Sequence, residues 1–187
     1  VMIAHYWLRG LADPSEFAST SKRELKLRLR WDNTDGEGWF DRNNFSILFF
    51  AVMNHATNVV SALLKHLAKK YKKGTHDYTR HVRSAIPSEG LPRFGFTGGT
   101  TALHIAMAGT SFDIITLLLE YGADSFETDV AGNDPLMFGS IFGHTRNVKL
   151  WLKRFPRWNL EKKSKVMGVV ALGQAVYMGP LMSIVAA

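Results

Sequence analysis

An internal repeat constrains this chain more than any other feature. Gly99-Thr100-Thr101-Ala102-Leu103-His104-Ile105-Ala106 aligns with Gly132-Asn133-Asp134-Pro135-Leu136-Met137-Phe138-Gly139 at a spacing of 33 residues. The same spacing carries Thr110 onto Gly143, Ser111 onto His144, Asp113 onto Arg146, Leu117 onto Leu150 and Leu119 onto Leu152. A period of that length accommodates a turn and two short helices. Helices this short cannot bury their apolar faces alone, so each unit needs stacked neighbours. The individual positions agree with that architecture. Gly99 and Gly132 sit where a tight turn needs positive φ. Thr101 fits a helix N-cap, and Asp134 takes that place one repeat later. Leu103 and Ala106 are three apart and face the neighbouring unit, where a small Ala allows close approach. Gly122 follows Leu117-Leu118-Leu119 as a C-terminal stop.

The run from Gly99 to Ala106, Gly-x-Thr-Ala-Leu-His-x-Ala, resembles the signature of the ankyrin-repeat family. Ile114-Ile115-Thr116-Leu117-Leu118-Leu119-Glu120-Tyr121-Gly122-Ala123-Asp124 is similar to that family's second helix and Gly-Ala-Asp exit. The resemblance implies an all-α ankyrin-repeat solenoid of helix-turn-helix units with hairpin-like loops. Two outer units follow once insertions are allowed. Ser46 to Ala51 matches Thr101 to Ala106 at an offset of 55, with Val59, Val60, Leu63 and Leu64 in second-helix positions. Leu172 to Gly179 matches Leu136 to Gly143 at an offset of 36, the extra residues lying around Trp158 to Lys165. These outer units depart from the pattern: Asn44 replaces the turn Gly, Phe49 replaces His104, and the last second helix stops short at Ala187. The expected division is an N-terminal helical cap or degenerate repeat over 1–35, with Asp13 and Pro14 opening a helix, then a repeat domain over 36–187. Its repeats fall at about 42–66, 97–124, 130–155 and, in part, 166–187. A basic insertion over about 67–96 is expected to be mostly loop, with a helix near His76 to Ala85.

Composition narrows the chemistry. Hydrophobic residues make up 46% and charged residues 21%, which argues for a folded globular chain rather than disorder. There is no Cys, which excludes a disulfide scaffold, a thiolate nucleophile and Cys-held zinc or iron–sulfur centres. That absence agrees with an intracellular, cytoplasmic setting. Val1 rather than Met opens the chain and an apolar run closes it, so a piece of a longer protein is expected. Val1 to Leu8 lacks the basic patch and small-residue cleavage site of a signal peptide. Residues 166–187 carry no charge and are long enough to span a bilayer. Gly168, Gly173, Gln174, Gly179, Pro180 and Ser183 interrupt them, so two short buried helices are expected and no transmembrane span.

The net charge of +7 and pI near 9.7 bring nucleic acid and anionic surfaces into question. Two clusters carry it. One comprises Lys65, Lys69, Lys70, Lys72, Lys73, Arg80, Arg83 and Arg93 against Asp77 and Glu89. The other comprises Lys149, Lys153, Arg154, Arg157, Lys162, Lys163 and Lys165 against Glu161. Tyr71 and Tyr78 lie within the first cluster, Trp151 and Trp158 within the second, and basic residues interleaved with aromatics are a pattern of nucleic-acid contact. Both clusters map to second helices and connecting loops. The expected role is a solvated outer face, with an acidic protein or anionic surface as the next partner class and nucleic acid not expected.

No catalytic residues, cofactor or metal are expected. Gly-x-Ser-x-Gly, a phosphate-binding Gly-x-x-x-x-Gly-Lys loop, His-Glu-x-x-His and a dinucleotide fingerprint are all missing. His76 and His81 with Asp77 are too loosely spaced to argue for a metal. The resemblance implies that His104 is a structural histidine bonded to turn backbone. It also implies that the concave face, made of hairpin tips and exposed first-helix positions, grips a partner protein. Carried over position by position, that face comprises Arg42, Asn43, Phe45, Met53 and Asn54 in the first repeat, and Thr97 and Thr100, with Gly98, Ala108 and Gly109, in the second. The third repeat adds Val130, Asn133, Ile141 and Phe142, with Ala131, and the fourth Tyr177 and Met178. Its aromatic and Met content suits a binding strip. The competing role for Ile141 and Phe142 is packing against a neighbouring loop or the insertion. The expected function is a non-catalytic protein–protein interaction module. The alternatives are an assembly subunit whose basic outer face contacts RNA or an acidic partner, and a regulatory ankyrin section of a larger enzyme or channel.

Overall fold

A computed structural model of the chain describes residues 46–90, 96–109 and 111–176. Seven helices run through them: α1 (Ile47–Met53), α2 (Thr57–Lys70), α3 (His76–Arg83), α4 (Ala102–Met107), α5 (Phe112–Glu120), α6 (Pro135–Ile141) and α7 (Thr145–Arg154). Residues 171–176 are helical as well, and no extended strand occurs among the described residues. The expected cap over 1–35 and the end of the fourth unit lie outside the described residues.

Helices α1/α2, α4/α5 and α6/α7 form three antiparallel-type pairs joined by tight turns, and the pairs stack. First helices lie side by side in the order α1, α4, α6, while α2 packs on α5. Equivalent positions are filled alike. Leu63, Leu118 and Trp151 share one repeat position and all are buried. Each first helix opens on a buried polar cap: Leu48 N donates to Ser46 Oγ at 3.1 Å, His104 N to Thr101 Oγ1 at 3.4 Å, and Met137 N to Asp134 Oδ1 at 3.0 Å. A capping side chain that satisfies an orphan helix N–H is worth about 1 kcal/mol. Gly99 and Gly132 adopt φ of +75° and +78°, as the turns require.

The hairpins form a ladder of their own. Val130 N donates to Gly98 O at 2.9 Å, and one step on Lys165 N donates to Ala131 O at 2.8 Å. Ala131 therefore does for the fourth unit what Gly98 does for the third. The rungs fix the relative height of successive units, and so the shape of the surface they carry.

Within the inserted segment a helix spans His76–Arg83, and the segment's start is taken up by the end of α2. Helix α2 runs on to Lys70, because buried Leu67 extends its apolar face and Tyr71 N caps Leu67 O at 2.9 Å. The inserted chain then forms α3, which Thr75 caps, and returns to the stack. Ile86 N donates to Thr100 O at 2.9 Å and Gly99 N to Ile86 O at 3.1 Å. Ser84 Oγ meets Ser46 Oγ at 2.7 Å, Tyr78 Oη donates to Tyr121 O at 2.8 Å, and Arg83 pairs with Glu127. The described part of the insertion is thus a side wall of the first and second units, latched by Arg83 to the chain leading into the third.

Candidate functional site

The third hairpin is built from its buried polar groups outward. Asp129 accepts hydrogen bonds from Thr97 Oγ1 at 2.6 Å, Asn133 N at 2.7 Å and Asn133 Nδ2 at 3.1 Å. His104 Nδ1 accepts from Thr101 N at 3.2 Å, which leaves Nε2–H to donate to Asn133 O at 3.0 Å. Burial holds the His104 imidazole at a pKa of about 4, so it is neutral near pH 7. Gln174 Nε2 completes the set by donating to Asn133 Oδ1 at 2.8 Å. Asp134 Oδ2 lies 3.5 Å from Lys162 Nζ. These groups face one another and are consumed in holding the hairpin still.

The expected binding strip divides against that framework. Val130 stands 64% exposed at the hairpin tip. Ile141 is half-buried at the end of α6, and Asn54 is half-buried with its Nδ2 donating to Phe50 O at 2.8 Å. Thr97 and Asn133 are half-buried and engaged with Asp129. Two placements are corrected. Thr100 is fully buried, its hydroxyl donating to Thr97 O at 2.8 Å, and Met53 belongs to the core, so neither is presented to a partner. Phe142 takes the competing role: its ring packs on Phe96 at 6.1 Å and Phe138 at 6.1 Å, under the returning insertion. Arg42, Asn43, Phe45, Tyr177 and Met178 lie outside the described residues.

The aromatics that suggested base stacking are used internally. Trp151 is fully buried and meets Trp158 edge-on at 5.2 Å; Tyr78 is buried and Tyr71 stacks on His81 at 4.9 Å. Sequence reasoning missed Phe126, which is 68% exposed and lies flat on Trp158 at 4.9 Å, and the exposed Val166 and Met167. The signal for all three was present as apolar residues in turn segments. Among the described residues no cluster of three or more His, Asp or Glu could hold a metal, and no helix is long and apolar enough to cross a membrane.

The family model described as Ankyrin repeat matches residues 98–130. The fold is an ankyrin-repeat solenoid. The match begins at the second hairpin and ends at Val130, covering α4, α5 and the rung between the two hairpins. Among curated proteins, Ankyrin repeat domain-containing protein 63 of Mus musculus is 32% identical over 102 residues, 54% of this chain and 26% of that protein. Probable E3 ubiquitin-protein ligase XBOS33 of Oryza sativa subsp. japonica is 36% identical over 93 residues, 49% of this chain and 18% of that protein. Tyrosine-protein kinase HTK16 of Hydra vulgaris is 31% identical over 83 residues, 44% of this chain and 11% of that protein. The chain thus matches about a quarter or less of the length of these relatives. Ankyrin repeats are generally protein–protein interaction modules.

Proposed function

We propose that this ankyrin stack is a non-catalytic interaction module that holds a partner protein on the side of its hairpins and first-helix ends. One observation carries the reading. Val130 presents a large apolar side chain to solvent from a hairpin bonded on both sides, to Gly98 behind and to Lys165 ahead. A rigid apolar anchor loses little conformational freedom on binding, which favours affinity. Val130 and Ile141 are the apolar strip residues assigned to this face, with Asn54, Thr97 and Asn133 beside them bonded within the stack. The same reading places the chain inside the cell, in keeping with its lack of Cys.

Affinity capture from native extract tests it, with nuclease added to remove nucleic-acid bridges. The chain should retain a defined protein in nuclease-treated extract, and Val130→Asp with Ile141→Ser should release it while far-UV helicity is unchanged. Capture that vanishes with nuclease, or that survives the double substitution, refutes the assignment.

A further inference from the structure

We propose that Phe126, Val130, Val166 and Met167 form an apolar ridge that docks an acidic amphipathic segment of the partner protein, with Arg157, Lys163 and Lys165 meeting its carboxylates. The inference rests on the interaction-module reading and adds the partner's chemistry.

The ridge is assembled by contacts already described. Val130 precedes Ala131, whose carbonyl accepts from both Lys165 N at 2.8 Å and Val166 N at 3.3 Å, so the third hairpin and the 164–168 turn are pinned together. Phe126 is held one side down on Trp158 at an interplanar angle of 12°, with its other face outward. Exposures of 68% for Phe126, 64% for Val130, 75% for Val166 and 48% for Met167 place four large apolar side chains in water, Val130 and the Val166–Met167 pair on turns pinned together and Phe126 on the turn that precedes the third hairpin. Contiguous exposed apolar surface on a folded chain marks an interaction site.

The surrounding charge selects the occupant. Arg157 and Lys163 are exposed, and so is Lys165, whose stem crowds Gly132 closely enough that a Cβ there would meet its Cγ at 2.6 Å. Glu161 is the one acid among residues 156–167. Three acids of the hairpin are already engaged, Asp129 with Thr97 and Asn133, Asp134 with Met137 N and Lys162, and Glu127 with Arg83, while the exposed Asp124 accepts from Phe126 N. The ridge therefore faces outward with a rim of net positive charge, Arg157, Lys163 and Lys165 against the exposed Asp124 and Glu161. A second copy of this chain, itself carrying +7, would bring like charges together at that rim. Nucleic acid would find a single ring, that of Phe126, where successive bases need several. A segment that alternates carboxylates with Leu, Phe or Trp satisfies both the ridge and its rim.

Selection of random phage-displayed peptides against the full chain tests the proposal. Enriched sequences should pair Asp or Glu with large apolar residues. A synthetic peptide of the enriched sequence should lose about tenfold in affinity with Phe126→Ser and Val166→Ser together, and about tenfold with Arg157→Glu and Lys163→Glu together, two exposed positions whose change leaves the thermal melt alone. Enrichment of basic or uncharged sequences, no enrichment, or affinity indifferent to charge reversal overturns it. Peptides released by Ile141→Ser but not by the ridge variants overturn the ridge and leave the interaction-module reading standing.

Discussion

His104 Nε2 donates a hydrogen bond to the backbone carbonyl of Asn133 at 3.0 Å, across the step from one ankyrin unit to the next. Its Nδ1 is occupied by Thr101, so the ring is bonded at both nitrogens while buried and neutral. Protonation would put a donor at Nδ1, where an acceptor is needed, and a charge into the core.

The pH dependence follows with a definite sign. His104 has a folded-state pKa of about 4 against an ordinary 6.5, so its contribution to stability is complete above pH 6.5 and is lost as pH falls from 6.5 towards 4. The loss approaches about 3 kcal/mol by the relation between pKa shift and free energy. His104→Met, the residue found at the equivalent Met137, should be less stable at pH 7 by about 1–3 kcal/mol through its lost hydrogen bonds. It should also show a flatter stability profile between pH 6.5 and 4. Urea denaturation across that range measures both, and a parallel profile for the two proteins would refute the assignment.

Gly98 serves the insertion rather than the turn. A Cβ on it would lie 2.3 Å from Ser88 O and 2.7 Å from Ser88 Cα, both backbone atoms that cannot swing aside. Gly98→Ala should push the 86–90 segment off the hairpin and cost about 1–3 kcal/mol, in the range of overpacking changes. The effect should be local. Amide exchange at Ile86 and Gly99, which donate into this junction, should quicken while the amides of α5 keep their protection.

Trp151 occupies the position that Leu63 and Leu118 fill in the earlier units. It is fully buried and ringed by Phe155 at 4.8 Å and Trp158 at 5.2 Å. Trp151→Ala should cost about 3–5 kcal/mol, as large-to-small changes of a buried aromatic do. Trp151→Leu restores the residue of the preceding repeat and should recover part of that loss. Equal instability of the two variants in denaturant titration would show that the aromatic cluster, not the repeat position, sets the packing.

The repeat made much of this legible. Caps at Thr101 and Asp134 and the positive-φ turns at Gly99 and Gly132 follow from spacing plus local chemistry. Depth at the binding strip did not follow, because a hairpin position says which unit a residue belongs to and not what lies over it. Phe142 is covered by Phe96, which arrives from the insertion, and Thr100 is buried beneath the same return. Asn147 was equally hidden: it holds the place of Ile114, yet its Nδ2 donates to Met107 O at 3.2 Å and Gly109 O at 2.7 Å. Only the contact across two units shows why an amide is tolerated where the pattern asks for an aliphatic side chain.

The Arg83–Glu127 pair latches α3 to the chain leading into the third hairpin. Burial raises the Glu127 pKa, and the Arg83 guanidinium opposes that rise. Arg83→Met removes the opposing charge, so the Glu127 pKa should climb further, which a carboxyl-carbon NMR titration reads directly. The linkage sign is that of a raised acid: protonated Glu127 favours the folded state, and the advantage is lost as pH rises from the unfolded value through the folded one. Arg83→Met should therefore lose more stability than the parent between mildly acidic and neutral pH. Glu127→Gln in the Arg83→Met background should remove that difference, because a neutral amide carries no desolvated charge. If Arg83→Met leaves the Glu127 titration where it was, the pair is a surface contact and α3 is held by its remaining contacts, those of Tyr78, Val82 and Ser84 among them.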